Sequence, residues 1–363
     1  MNTKYRGLPE EGDLRKLMRS GAGFVYYRLP GEGKVMKQIA ERVHALTPEA
    51  FLQREIAEGF VFVPFQTEQK LIWFDGDHEL PGDSAEMEED MPADNGIYLL
   101  GEDAEIYIQQ LNDFMNGMRQ KELVKAVFSG RREVAGKALK GAPELFARIL
   151  KAYPEAFVYF ARIPGYGLWM GASPEGLLRF DNGKVESMAL AGTKPLDKPA
   201  DWTDKEFEEH RYVSEYILGL FKQCGCGETR VVGPYESRAG NLLHLRTDFQ
   251  SFADFRQAMK LAFLLHPTPA VCGVPVKESM QFILENEGYS RQFYTGFLGP
   301  VSQQKLDFFV NLRCAKLEDD RMVLFAGGGI TLASHPLDEW KEARSKSETI
   351  AVEWEKLRNF ATN

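Results

Sequence analysis

The sequence predicts an α+β protein built on large, mainly antiparallel sheets. Three observations lead there. Short aromatic and β-branched runs recur at hairpin-like spacing, long helical patterns are few, and strands do not alternate one for one with helices as a doubly wound sheet requires. With 363 residues, 44% of them hydrophobic, the chain is long enough for one large core or two ordinary ones.

Residues 23–31 (GFVYYRLPG), 59–65 (GFVFVPF) and 71–75 (LIWFD) read as strands, because aromatic and β-branched side chains fill the space between Gly and Pro breaks. Residues 75–95 are acidic, broken by Pro and Gly and without periodicity, which predicts a solvated loop. A helix over 103–122 leads into a strand at 123–129 (LVKAVFS), and a helix over 143–152 precedes a strand at 156–162 (AFVYFAR). Further strands are predicted at 167–171, 176–180, 184–190, 230–233, 243–249, 292–300, 305–315 and 321–327. The periodicity places further helices at 204–222, 252–262, 275–287 and 337–360, and no internal repeat interrupts the series.

Lys+Arg 44 against Asp+Glu 53 leaves a net charge of -9, without the basic surplus that a nucleic-acid binder uses to displace counterions. Cys224, Cys226, Cys272 and Cys314 are too scattered for a disulfide scaffold, and Cys-Gly-Cys has the wrong spacing for a zinc knuckle. Reduced thiols in a cytoplasmic protein are expected. The first residues carry no apolar run behind their charges, and nowhere do about 18 apolar residues run together, so neither a signal peptide nor a membrane span is expected.

Several residues invite chemistry. The helix after Thr203 carries Glu206 and Glu209 on one face, with His210 beside them, although Thr203-x-x-Glu206 is also a capping box. The last helix shows Glu339, Glu342 and Lys346 on one face, and Glu342 with Lys346 is also an ordinary i,i+4 ion pair. Four carboxylates on two helices would suit Mg²⁺ if the helices faced each other, since that ion wants hard oxygen ligands. His210 and His244 lack metal-ligand spacing and read as hydrogen-bonding residues. Lys125 lies in an apolar strand, either at an edge with its head in water, the commoner case, or desolvated enough to act as a base. Glu175 reads as a turn carboxylate, normally solvated. Arg313, a charge within an apolar strand, calls for a carboxylate partner in the protein or in a ligand. The glycine run 326–330 is a tight turn or an anion-facing backbone.

The order of these pieces resembles the chorismate-utilising enzymes: isochorismate, salicylate, anthranilate and aminodeoxychorismate synthases. The matching segments are KAVFS (125–129), GASPEGLL (171–178), LAGT-P (190–195), KEFEEH (205–210), HLRT (244–247) and LHPTPAVCG-P (265–275). They continue through the stretch around Arg291, YTGFLG (294–299), NLRCA (311–315), AGGGI (326–330) and DEWKEARSK (338–346). The resemblance implies a single large unit over 1–363, two sheets packed face to face with helices outside and the active site in a cleft between halves. Residues 120–350 would be its catalytic core and 1–110 a shortened, divergent sheet-forming region.

On residues, the resemblance implies Lys125 as general base toward C2 of chorismate and Glu175 as general acid on the C4 hydroxyl. It implies Glu209 and Glu342 as direct Mg²⁺ ligands, with Glu206 and Glu339 holding the metal's waters. Arg313 and Tyr294 resemble the grip on the enolpyruvyl carboxylate, and Lys346 a partner of the ring carboxylate. Gly192, Thr193, Gly328 and Gly329 would line the pocket, His244 would close its floor, and Ala270 would help shape it.

Within the family, Ala191 stands where aminodeoxychorismate synthases carry a nucleophilic lysine, and residues 1–110 lack the Leu-Leu-Glu-Ser tryptophan motif of anthranilate synthases. Lyase-competent relatives tend to have threonine at Ala270, so the resemblance points to isochorismate synthase, feeding menaquinone or siderophore synthesis, ahead of salicylate synthase or an anthranilate synthase component. No obligatory protein partner and a monomeric state are expected. Gly130 separates Ser129 from Arg131, where the family usually has arginine at once.

Overall fold

The computed structural model describes residues 6–40, 43–56, 58–76, 100–101, 104–196, 201–239 and 242–361. Most of the expected acidic loop at 75–95 lies outside them. The strands are β1 (Gly23–Arg28), β2 (Met36–Ala40), β3 (Val43–Leu46), β4 (Glu58–Val63), β5 (Leu71–Asp75), β6 (Lys125–Ala135), β7 (Phe157–Ile163), β8 (Gly167–Ser173) and β9 (Gly176–Asp181). They continue as β10 (Lys184–Pro195), β11 (Arg230–Ala239), β12 (Leu242–Phe252), β13 (Gly273–Val274), β14 (Phe297–Ser302), β15 (Lys305–Val310), β16 (Cys314–Leu317) and β17 (Arg321–Ile330). The helices are α1 (Glu11–Arg19), α2 (Pro48–Leu52), α3 (Ala104–Gln120), α4 (Ala138–Ala152), α5 (Asp204–Gln223), α6 (Phe255–Leu265), α7 (Val276–Asn286) and α8 (Pro336–Ala361).

Two sheets hold the described strands, and every pairing between them is antiparallel. One runs β13-β6-β17-β16-β8-β7-β1-β2 and the other β11-β12-β10-β9-β15-β14-β4-β5-β3. The expected α+β class with two large antiparallel sheets is what the chain forms. An aromatic layer joins them face to face: Tyr159, Trp169 and Phe325 from one sheet meet Phe62, Leu298 and Phe309 from the other. Phe309 stacks on Phe157 with centroids 4.2 Å apart and planes 7° from parallel, a contact worth about 0.5–1.5 kcal/mol beyond its buried area. Because helices cover the outer faces, strands such as β7 are buried on both sides, which is why FVYFARI reads as a continuous apolar run. On the first sheet α1, α4 and α8 supply that cover, and on the second α2, α5 and α6 do.

Two expected strands are interrupted. Residues 292–296 form a turn in which Gln292 and Thr295 take positive φ (49° and 61°), so the strand begins only at Phe297. The expected strand at 305–315 breaks at 311–313, where the chain leaves β15 in one sheet and enters β16 in the other. Arg313 takes φ 49° at that crossing. Residues 174–175 make a similar passage from β8 to β9. Gly130 needs no accommodation, since it pairs in register with Ala326 and leaves Arg131 over the Tyr289 ring, 4.9 Å from its centroid. At the edge, β11 shifts register against β12 between Val232 and Tyr235, around Gly233 and Pro234.

Beneath β6 lies a closed ion pair. Arg291 meets Glu287 at 2.5 Å, both side chains only 2% exposed, and it also donates to the carbonyls of Val127 and Val271 at 2.9 and 3.0 Å. Ser129 donates to the same carboxylate at 2.8 Å. Removing one partner of such a pair strands a buried charge, so Arg291→Met should lower unfolding free energy by about 3–5 kcal/mol. Urea denaturation followed by circular dichroism checks this, and a shift near zero would mean that the pair contributes nothing.

Candidate active site

One pocket gathers most of the residues singled out in the sequence. Lys125 opens β6, Glu175 sits in the β8 to β9 passage, Gly192 and Thr193 lie in β10, and His244 lies in β12. Glu206 and Glu209 come from the first turns of α5, and Glu339, Glu342 and Lys346 from α8. Tyr294, Arg313, Gly328, Gly329 and Ala270 line the same space. His210 does not; its Nε2 lies 2.8 Å from the Thr247 hydroxyl, behind the lining.

Lys125 departs from the commoner expectation of an edge lysine. It is 2% exposed because β13 pairs with β6 on one side, at Val274 opposite Lys125 itself, and β17 pairs with it on the other. Its ammonium makes no hydrogen bond or ion pair among the described residues. Burial pushes its pKa below the ordinary lysine value, with Glu209 opposing and Lys346 reinforcing that shift. Gly329 makes room for this head, since a Cβ there would lie 2.4 Å from Lys125 Cε and 2.9 Å from Nζ.

Glu175 is likewise buried, 3% exposed, where a turn carboxylate would be solvated. The cause is the passage between sheets, which holds its main chain: the N–H donates to Ser173 Oγ at 3.3 Å and the carbonyl accepts from Val310 N–H at 3.0 Å. The carboxyl makes no hydrogen bond among the described residues. Burial pushes its pKa up to about 8, against the pull of Lys125, Lys346 and Arg313.

Arg313 finds no carboxylate in the protein among the described residues. Its guanidinium donates only at 3.4 Å to the Lys346 carbonyl and 3.3 Å to Thr349 Oγ1. A left-handed backbone costs a non-glycine residue about 1–2 kcal/mol, and here it aims a half-satisfied cation at the pocket. The buried Tyr294 hydroxyl, beside it in the lining, has no hydrogen-bond partner among the described residues. His244 Nδ1 donates to the Gly192 carbonyl at 2.9 Å, a partner that can only accept, so Nε2 carries the lone pair. Burial, then Arg313 and Lys346, lower its pKa to about 3, and the ring stays neutral.

The carboxylates of α5 and α8 approach one glycine run: a Cβ added at Gly328 would lie 3.2 Å from Glu339 and 3.7 Å from Glu342, both of α8, and one added at Gly329 would lie 3.6 Å from Glu209 of α5. Each has a partner of some kind. Glu206 caps its own helix, accepting from Thr203 N–H at 2.8 Å and from the Thr203 hydroxyl. Glu339 takes Lys205 at 2.7 Å and Glu342 takes Lys346 at 2.6 Å. Glu209 has the weakest arrangement: Lys205 stands 3.9 Å away, and the buried Oε1 accepts no hydrogen bond. Burial raises the Glu209 pKa, with Lys125 and Lys205 opposing. For Glu342 burial is the largest effect and acts upward, but Lys346, Lys205 and His244 together outweigh it and the pKa falls.

Among the described residues, therefore, no three His, Cys, Asp or Glu side chains converge as metal ligands. Their chemistry nevertheless fits a hard divalent cation, because the donors are all carboxylate oxygens and one is an orphan. Sequence reasoning passed over Lys205, though its i,i+4 spacing to Glu209 was a signal. It also named only the stretch around Arg291 and not the ion pair that ties Val127 and Val271, two lining residues, together.

Comparison with known proteins bears on this geometry. Residues 77–352 match the model of a family described as chorismate binding enzyme. The isochorismate synthase EntC of Escherichia coli is 35% identical over 196 residues, covering 51% of this chain and 50% of that protein. The vibriobactin-specific isochorismate synthase of Vibrio cholerae is 30% identical over 260 residues, covering 68% and 66%. The chain thus spans about half the length of the first of these relatives. Among solved structures, the menaquinone-specific isochorismate synthase MenF of E. coli superposes with a TM-score of 0.73 at 20% identity, over 94% of this chain and 90% of that one, a likeness of fold. With the family match extending over 77–352, the chain belongs to the chorismate-binding enzymes.

Proposed function

We propose that this enzyme is an isochorismate synthase, converting chorismate to isochorismate with Mg²⁺. The observation that carries the reading is a desolvated lysine and a desolvated carboxylic acid in one pocket, neither spent on a protein partner. The names of the relatives point the same way.

Lys125, driven toward its neutral form by burial, takes a proton from water as the water oxygen bonds to C2. Glu175, kept protonated by burial, gives its proton to the C4 hydroxyl, which departs as water while the ring double bonds shift. One water enters and one leaves, and the proton on Lys125 returns to Glu175 through solvent. Arg313, with Tyr294, receives the enolpyruvyl carboxylate, the partner that this guanidinium lacks in the protein. Gly192, Thr193, Gly328 and Gly329 shape the walls, His244 the floor, and Lys346 meets the ring carboxylate. Glu209 and Glu342, with Glu206 and Glu339 around them, would hold Mg²⁺, which when bound neutralises that carboxylate.

Ala191 and Ala270 in the lining support a route without a covalent lysine and without pyruvate elimination. In this reading residues 120–350 form the catalytic core of one unit, active without an obligatory partner and cytoplasmic.

Incubating the full chain with chorismate, with and without MgCl₂, ammonium and EDTA, tests the reading by product chromatography. Isochorismate in equilibrium with chorismate, dependent on Mg²⁺ but not on ammonium, is expected; anthranilate, or salicylate with pyruvate, overturns it. Lys125→Met should lower kcat by about 10²–10⁴-fold with the melting curve preserved, as loss of a general base does. Wild-type turnover in that variant removes the base assignment. Because Glu175 must be protonated to act and has its pKa at about 8, kcat/KM should fall as pH rises through about 8. A profile flat to pH 9.5 would contradict the assignment of Glu175 as the acid.

A further inference from the structure

Lys205 has no part in the chemistry described above, yet it stands among the carboxylates assigned to the metal. It is the second residue of α5, and its ammonium reaches across the pocket to α8, 2.7 Å from Glu339 and 3.9 Å from Glu209. Glu339 is only 5% exposed and Glu209 11% at the side chain, so neither charge has much solvent to fall back on. The two helices belong to different halves: α5 covers β10 in the nine-stranded sheet, while α8 covers β17 in the eight-stranded one. The ammonium therefore links the halves where α5 and α8 meet at the pocket.

We infer that Lys205 is a tethered counter-ion that holds the carboxylate cluster in the metal-free enzyme and is displaced when the metal binds. The inference rests on the proposed assignment of Glu209, Glu342, Glu206 and Glu339 to a divalent ion. Three features carry it. Lys205 already neutralises Glu339 at 2.7 Å, so a dication brought to the same carboxylates meets an ammonium that repels it. Glu209 keeps one buried oxygen without a hydrogen bond, an arrangement that an ammonium at 3.9 Å satisfies poorly and a small dication satisfies well. Lys205 is a third exposed on a flexible stem, so it can swing to water without disturbing the backbone of α5. The exchange would leave the two halves bridged throughout, first by a monocation and then by a dication. Lys205 is in this sense a positioning residue, setting how readily the site takes its metal and keeping it assembled beforehand.

The test is calorimetric titration of MgCl₂ into the full-length wild type, Lys205→Met and Lys205→Arg without substrate, with melting curves in EDTA. Lys205→Met should bind Mg²⁺ on the order of tenfold more tightly than wild type, while melting earlier in EDTA and gaining more from added Mg²⁺. Lys205→Arg, which keeps the charge, should bind as wild type or more weakly. Unchanged or weaker Mg²⁺ binding by Lys205→Met overturns the inference and leaves the metal assignment standing. Glu209→Gln should lose Mg²⁺ binding in the same titration. Absence of Mg²⁺ binding by wild type and Lys205→Met alike, even with chorismate added, overturns the metal assignment and the inference with it.

Discussion

Everything in the pocket depends on how the chain crosses from one sheet to the other. Of its passages between the sheets, those at 174–175 and 311–313 are short ones beside the pocket, and these two are sewn to each other. Ala172 N–H donates to the Arg313 carbonyl at 3.1 Å, Ser173 Oγ donates to the Val310 carbonyl at 2.5 Å, and Val310 N–H donates to the Glu175 carbonyl at 3.0 Å. Asn311 completes the seam, accepting from the Tyr159 hydroxyl and donating to the Phe293 carbonyl, both at 2.9 Å. Backbone leaving a ladder inside a sandwich must find such partners, because unpaired buried amides are costly. The solution fixes the Glu175 carboxyl and the Arg313 guanidinium in one pocket.

The seam also explains the electrostatics. A sandwich with aromatic filling is a poor solvent for charge, and Lys125 and Glu175 are placed where water is scarce and, among the described residues, neither side chain's charged group has a hydrogen-bond or ion-pair partner. Their pKa values move toward each other for that one reason, the lysine down and the carboxyl up. At the helix side of the pocket the same scarcity is handled differently. There the carboxylates of α5 and α8 are each given a neighbour, an ammonium or a cap, so that like charges can share a small volume.

Much of the architecture was readable from local pattern, since aromatic and β-branched runs and the long helices come from periodicity that needs no tertiary knowledge. What escaped was short or non-local. The helix α2 and the strands β2, β3 and β13 are too brief to show a period, whereas α1 is amphipathic but carries few apolar residues among its charges. β13 is only two residues long, yet it turns Lys125 from an edge residue into a buried one. Glu175 was misjudged as solvated for the same reason, because burial at a crossing between sheets is a property of the pair of sheets and not of the turn. For Arg313 a charge in an apolar run leaves open whether protein or ligand supplies a carboxylate, and that no described protein carboxylate does so required a view of all its neighbours. At Glu206 the capping alternative is the contact that the structure forms, whereas the facing of α5 and α8 had no trace in either helix alone.

The interrupted edge of the nine-stranded sheet has a bearing on how the molecule behaves in a crowded solution. A sandwich with this many strands offers sheet rims that could recruit strands from other molecules and begin a fibril. β11 exposes Val231, Val232 and Tyr235 at such a rim, an adhesive combination if the ladder beyond it were regular. The register shift around Gly233 and Pro234 denies an incoming strand an unbroken row of donors, since proline has none to give. The opposite rim is the four-residue β3, and the other sheet ends in the five-residue β2 and the two-residue β13. Short or broken rims leave little regular edge, among the described strands, for a strand from another molecule to extend.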